Sequence, residues 1–223
     1  MFEVLTPPPA LDPAAAPRTT PRGAIATRPE SSDMCSLHLL GTLLGCSDVS
    51  SPGGLYCRWS LSSGSSSSGS PSWQLLSGSS SGTTHVDGSA GRGVDATWDH
   101  PLDMHLAVSS PVGWPRLRLE LWSRDGKEDG QGNRLQGYGF AHVPSRPGRH
   151  DLTIATWRPV GGLSEKMQAF FLDIQPTLVD GSIVDQTREG EGRFGLKCET
   201  GGLIYVQLEV VVSGFKQRGV YLG

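Results

Sequence analysis

Two short stretches of this 223-residue chain spell the letters of catalytic or cofactor motifs. Gly78-Ser79-Ser80-Ser81-Gly82 reads G-x-S-x-G, a pattern that presents a nucleophilic serine only on a tight turn from a buried strand into a helix. Its flanks are serine-rich chain and Thr-Thr-His, so the setting for covalent catalysis is missing. Gly91-Arg92-Gly93-Val94-Asp95-Ala96 matches G-x-G-x-x-A, but no strand pattern precedes it. Pro101 stands where the phosphate-binding helix would run. Asp99, His100, Asp103 and His105 form the densest group of metal-capable side chains. Strand alternation puts Asp103 and His105 on one face, yet no other ligand cluster lies at metal spacing, so the group reads as a polar face. No catalytic residue, cofactor or metal is expected.

Charge and cysteine content narrow the classes further. The formal charge is -3, from 19 basic and 22 acidic residues, which gives no overall positive field for nucleic acid. Cys35, Cys46, Cys57 and Cys198 show no Cys-x-x-Cys spacing and read as thiols, mostly buried. The most apolar run, Leu203 to Val212, is interrupted by Gln207 and Glu209 and falls far short of the roughly 20 residues of a spanning helix. Glu3 and the Pro7-Pro8-Pro9 run do not fit a signal peptide, so a cytosolic context is expected.

These residues must be positioned by strands. Residues 1–34 are rich in Pro, Ala, Arg, Ser and Thr and are expected to form a disordered tail. The domain is expected to span 35–223, starting where Leu37, Leu39 and Leu43 share one face. Leu117, Leu119 and Leu121 alternate with Arg116, Arg118 and Glu120, predicting one buried and one wet face. Leu102, Met104, Leu106 and Val108 alternate with polar partners in the same way, and Ile204 to Val212 repeats the pattern. Further strands are expected at 54–60, 73–76, 135–143 and 149–155. The serine-glycine tracts 62–72 and 77–82 read as flexible loops, the first an expanded hairpin insertion. Leu163, Met167, Phe170, Phe171 and Ile174 have helical spacing, predicting one amphipathic helix at about 163–175. Short strands separated by Gly and Pro turns, with one inserted helix, define an all-β antiparallel β-sandwich. The six tryptophans read mainly as core and strand-end packing, with Arg116 and Arg118 on the wet face of the central strand.

The ordered blocks GWPRLRLELWSRDG at 113–126, LQGYGFAHVPSRPGRHDL at 135–152 and TWRPVGG at 156–162 resemble the B-nine domain family of ciliary transition-zone proteins. LYCRWSL at 55–61, WQLLSG at 73–78, TWDHPLDMHLA at 97–107 and GGLIYVQLEVVVSGFKQRGV at 201–220 extend the resemblance over most of 35–220. The long tail and the Ser-Gly insertion depart from it. The resemblance implies a sandwich akin to the C-two membrane-binding modules. It also implies a non-enzymatic scaffold role in the Meckel-syndrome (tectonic-like) complex of the ciliary gate, at the basal body and transition zone. The implied partners are two other B-nine proteins, the first B-nine protein and the Meckel syndrome type-one protein. The alternative it leaves open is a peripheral module that contacts anionic phospholipid without calcium, with Arg116, Arg118 and Arg124 as candidate partner or lipid contacts.

Calcium-dependent C-two modules supply carboxylates from a W-D-x-D strand end, because calcium takes six to eight oxygen ligands. The corresponding residues here are Trp122-Ser123-Arg124-Asp125. Ser123 replaces the first carboxylate and Arg124 adds a positive charge, leaving Asp125, Glu128 and Asp129 on a glycine-containing loop. This degenerate loop is expected to hold no metal. Deleting residues 1–34 is expected to leave the thermal midpoint of the domain nearly unchanged, since the tail has little apolar surface to bury. A fall of several degrees on truncation, measured by circular dichroism, would show that the tail packs on the sandwich.

Overall fold

The computed structural model describes residues 34–49, 53–63, 72–88, 96–124, 132–162, 167, 171, 177–184 and 196–222. The expected tail (1–34, apart from Met34) and nearly all of the Ser-Gly insertion (62–72) lie outside these residues. So does the helix expected at 163–175, apart from Met167 and Phe171, which are both exposed.

The chain is an all-β antiparallel sandwich made from one curled sheet. Its strands are β1 (Cys35–Ser47), β2 (Gly54–Ser62), β3 (Trp73–Gly78), β4 (Ser81–Thr83), β5 (Ala96–Val108), β6 (Arg116–Arg124), β7 (Asn133–His142), β8 (Gly148–Pro159) and β9 (Cys198–Ser213). They hydrogen-bond in the order β3-β5-β1-β9-β8-β7-β6-β2-β4. The two terminal strands of this sheet, β3 and β4, are consecutive in sequence and only Ser79 and Ser80 separate them. Two residues cannot span an open nine-stranded sheet, so the sheet has to bend until its ends meet. Ser79 N–H donates to the Asp103 carbonyl of β5 at 3.2 Å, and Leu61 N–H of β2 donates to the Ser80 carbonyl at 2.7 Å. Successive residues are thereby bonded to opposite halves of the sheet.

The curl creates an interior, and the alternation read from sequence fills it. Leu37, Leu39 and Leu43 of β1, Leu102, Met104 and Leu106 of β5, and Ile204, Val206, Leu208 and Val210 of β9 are buried in one half. Leu55, Cys57 and Trp59 of β2 and Leu117, Leu119 and Leu121 of β6 meet them from the other, in one contiguous cluster. Trp98 Nε1–H crosses between the halves to the Leu55 carbonyl at 3.0 Å. Burial pushes the Cys57 thiol well above its ordinary range.

Two expectations change. The tract 77–82 is not a loop throughout, because Ser77 and Gly78 end β3 and Ser81–Thr83 form β4 against β2. Tertiary contact overrides composition here. A Cβ at Gly82 would lie 2.8 Å from Trp59 Nε1, so the bare backbone lies flat on a buried indole. Gly78 adopts φ 86°, and a Cβ there would lie 2.1 Å from the Asp103 carbonyl oxygen. Strand β5 also begins earlier than its alternation shows. It runs through Pro101, which pairs with Thr42, and through Asp99 at φ 45°. The Gly82→Val variant is expected to lose roughly 1–3 kcal/mol, the usual cost of forcing atoms into a packed site. Urea unfolding measures this, and an unchanged midpoint would mean that the crossover is not pressed on Trp59.

Candidate interaction surface

The residues singled out by sequence separate into two faces of β6. Its inward positions are Leu117, Leu119, Leu121 and Ser123, and its outward positions are Arg116, Arg118, Glu120, Trp122 and Arg124. Ser123, expected from the resemblance to stand in place of a calcium-binding carboxylate, is fully buried. Its hydroxyl accepts from Gln136 Nε2–H at 2.8 Å and approaches the Arg134 carbonyl at 3.5 Å. The side chain is therefore engaged inside the sandwich. Asp125, Glu128 and Asp129 lie outside the described residues. Among the described residues, no group of three or more His, Cys, Asp or Glu side chains is placed to hold a metal ion.

Asp103 and His105 do share the outward face of β5, as alternation predicts. There Asp103 meets His38 Nε2 at 2.8 Å, and the His38 and His105 rings stack with centroids 5.0 Å apart. His100 is drawn away from them toward Trp59, with ring centroids 6.1 Å apart, and burial holds it below its ordinary value. The Gly78–Gly82 run joins two strands, not a strand and a helix.

The wet face expected for β6 is only half wet. Arg116, Arg118, Glu120 and Trp122 are each partly buried, and only Arg124 is exposed. The reason is a segment that crosses this outer face at 177–184 and ends in a 3-10 turn, Gly181–Val184. Leu178 and Val184 pack with Leu135, Tyr138, Phe140, Trp122 and Trp157 in a second apolar cluster outside the main core. Leu178 N–H donates to the Tyr138 hydroxyl oxygen at 3.2 Å. Asp180 accepts from the Ser182 N–H at 2.8 Å and hydroxyl at 2.6 Å. These bonds, assisted by the Arg118 charge, hold its carboxyl below the usual carboxylate range. Arg118 thus lies beneath a strap, with its Nη1 3.5 Å from the point where a Gly181 Cβ would stand.

The register adds a residue that sequence reasoning passed over. Arg58 of β2 lies directly opposite Glu120, on the same outward face. Its guanidinium carbon sits 5.0 Å from the centre of the Trp122 ring and 5.9 Å from that of Tyr56, a cation–π arrangement. Trp122 Nε1–H in turn donates to Glu120 at 3.1 Å. The signal available in sequence was the alternation of Tyr56, Arg58 and Ser60 with the apolar residues of β2. What made it matter, the pairing with β6, was not.

The described residues thus form a curled antiparallel sandwich whose outer face on β2 and β6 carries guanidinium and aromatic side chains. Residues 37–211 match the family described as "Ciliary basal body-associated, B9 protein". The chain is similar to B9 domain-containing protein 2 of Bos taurus, with 37% identity over 187 residues that cover 84% of this chain and 99% of that one. The same protein of Drosophila melanogaster is 34% identical over 195 residues, covering 84% and 98%. B9 domain-containing protein 1 of Xenopus laevis is 29% identical over 174 residues, covering 76% and 80%. The chain belongs to the B9 family of ciliary basal body-associated proteins.

Addition of millimolar calcium is expected to leave the thermal midpoint unchanged, because a ligand that binds only the folded state raises stability once it exceeds its dissociation constant. Differential scanning calorimetry checks this. A rise that a chelator reverses and Asp125→Asn abolishes would show a working calcium loop.

Proposed function

We propose that this chain is a non-enzymatic scaffold subunit at the ciliary base, in the transition-zone Meckel-syndrome (tectonic-like) complex. In this reading it joins two other B9 domain proteins, the first B9 protein and the Meckel syndrome type-one protein, and supports ciliogenesis and the ciliary gate from the cytoplasmic side. The observation that carries the reading is the near end-to-end alignment with B9 domain-containing protein 2 relatives, which extends from vertebrates to an insect. The fold supports it, because an antiparallel sandwich supplies rigid faces and loop ends for protein contacts. The outer face of β6 and β7 already holds a segment of the chain itself, 177–184, on aromatic side chains. Side chains of that kind, Tyr, Trp and Arg, dominate binding energy at protein interfaces.

Coexpression of the full chain with the two B9 proteins, followed by affinity capture on either partner, tests the proposal. Stoichiometric recovery of this chain with both is expected. Recovery with neither, under conditions where all three are soluble and folded, would refute the assembly role.

A further inference from the structure

Strand β8 has a neighbour on each side but is hydrogen-bonded along its length to only one of them. Toward β9 it pairs without a break from Gly148, opposite Val210, to Ala155, opposite Leu203. Toward β7 the pairing is a single bridge, Tyr138 with Trp157. The remaining hydrogen bonds of 148–155 among the described residues belong to side chains. His150 Nε2 meets the Arg146 carbonyl at 2.8 Å, and Asp151 accepts from Gln207 Nε2–H at 2.7 Å. The backbone groups of 148–155 that point away from β9 therefore have no hydrogen-bond partner among the described residues.

An unpaired strand edge is a template for a further strand, and sheets blunt such edges by shortness or by a bulge. Strand β4 has only three residues, and β3 is bulged between Leu75 and Ser77. The 148–155 edge has neither protection, since its register with β9 is regular through all eight residues. It carries instead two opposite charges on its exposed outward face, Arg149 and Asp151, followed by Thr153 and Ala155. On β9, Glu209 stands opposite Arg149 and Gln207 opposite Asp151.

We propose that this edge pairs with the same edge of a second copy of the chain, antiparallel and two-fold symmetric about His150. That register places Arg149 of each copy opposite Asp151 of the other, so a single axis makes two pairs of opposite charge. Charge selects it over its neighbours. An axis at Arg149 or at Asp151 would set like charges against each other, and an axis at Leu152 would leave Arg149 opposite Ala155. Across the joined sheets the outward row reads Glu209, Arg149, then Asp151 and Gln207 of the other copy, so each Arg149 lies between two carboxylates. On the inward face Leu152 of one copy comes opposite Gly148 of the other. A Cβ at Gly148 would meet nothing within 4 Å, which leaves room there for a leucine side chain. A uniformly acidic or basic strand would satisfy one of the two charges and oppose the other. The proposal concerns this chain alone and does not rest on the B9 assembly.

Sedimentation velocity of the full chain, over a concentration series from low micromolar upward, tests the pairing. A reversible monomer–dimer equilibrium is expected, because one strand edge buries little area. Arg149→Glu and Asp151→Arg are each expected to weaken the dimer about tenfold or more, since the symmetry turns both attractions into repulsions at once. The variant carrying both changes is expected to dimerise like the parent chain. An equimolar mixture of the two single variants is expected to form a mixed dimer, in which both contacts are again between opposite charges. Lys216→Glu, an equal change of charge in the turn after β9, is expected to have no effect. Thermal melts establish that each variant is folded. A chain that stays monomeric throughout the series would overturn the proposal. So would a dimer indifferent to the single reversals, or single variants that do not pair in the mixture. Failure to recover the two B9 proteins, with this dimer intact, would count against the assembly and leave the contact standing.

Discussion

The crossover at Ser79 and Ser80 is the constraint from which the rest of the described structure follows. A nine-stranded sheet has two free edges, and here the chain passes from one edge strand to the other within two residues. Hydrogen bonds from Ser79 to Asp103 and from Leu61 to Ser80 fix the two halves at that point. Gly78 and Gly82 make the path sterically open, one through a positive φ and a close carbonyl, the other by lying on the Trp59 ring. Once the ends meet, the inward faces of β1, β5 and β9 oppose those of β2 and β6, and both free edges are brought together. Edge strands are otherwise templates for unwanted pairing.

Closure also decides what the outside of the molecule offers. With the leucines turned inward, the outward positions of β2 and β6 carry Arg58 and Arg124 in the open, Arg116, Arg118, Glu120 and Trp122 half-buried, and Tyr56 buried beside Arg58. One flank is covered by 177–184 and the other opens over β4. Trp122 links these roles. Its ring packs with the second apolar cluster, supports Arg58 and holds Glu120 by its N–H. The opposite half of the sheet presents a different outer face, where Leu40 and Val211 are exposed beside the stacked His38 and His105. The two outer faces thus differ in charge and in cover.

Much of this was legible in the sequence wherever period-two alternation is strong. Leu37, Leu39 and Leu43, the leucines of β6, and Ile204 to Val210 were assigned to buried faces and are buried. The family resemblance was legible too, since long ordered blocks are more specific than short motifs. Strand β4 was not, because Ser81-Gly82-Thr83 carries no apolar signal and owes its place to contacts with Trp59 and Leu61. The start of β5 was hidden by Pro101, a residue that argues against a strand on local grounds. Arg116 and Arg118 were correctly placed on the outward face, but their partial burial depends on Leu178 and Val184, apolar residues without any periodicity. Arg58 gained its role only from a register that joins segments sixty residues apart in the chain, as in its pairing with Glu120.

In the scaffold role proposed above, the outer faces of this B9 family member are its working surfaces and the core is their support. Hydrogen exchange of the full chain, alone and mixed with the two other B9 proteins, tests that claim most directly. Bound partners are expected to slow exchange at exposed loop and edge-strand amides, while amides in the centre of the sheet, already protected by its hydrogen-bond ladders, change little. Identical exchange with and without the partners, at concentrations where both are folded, would contradict it.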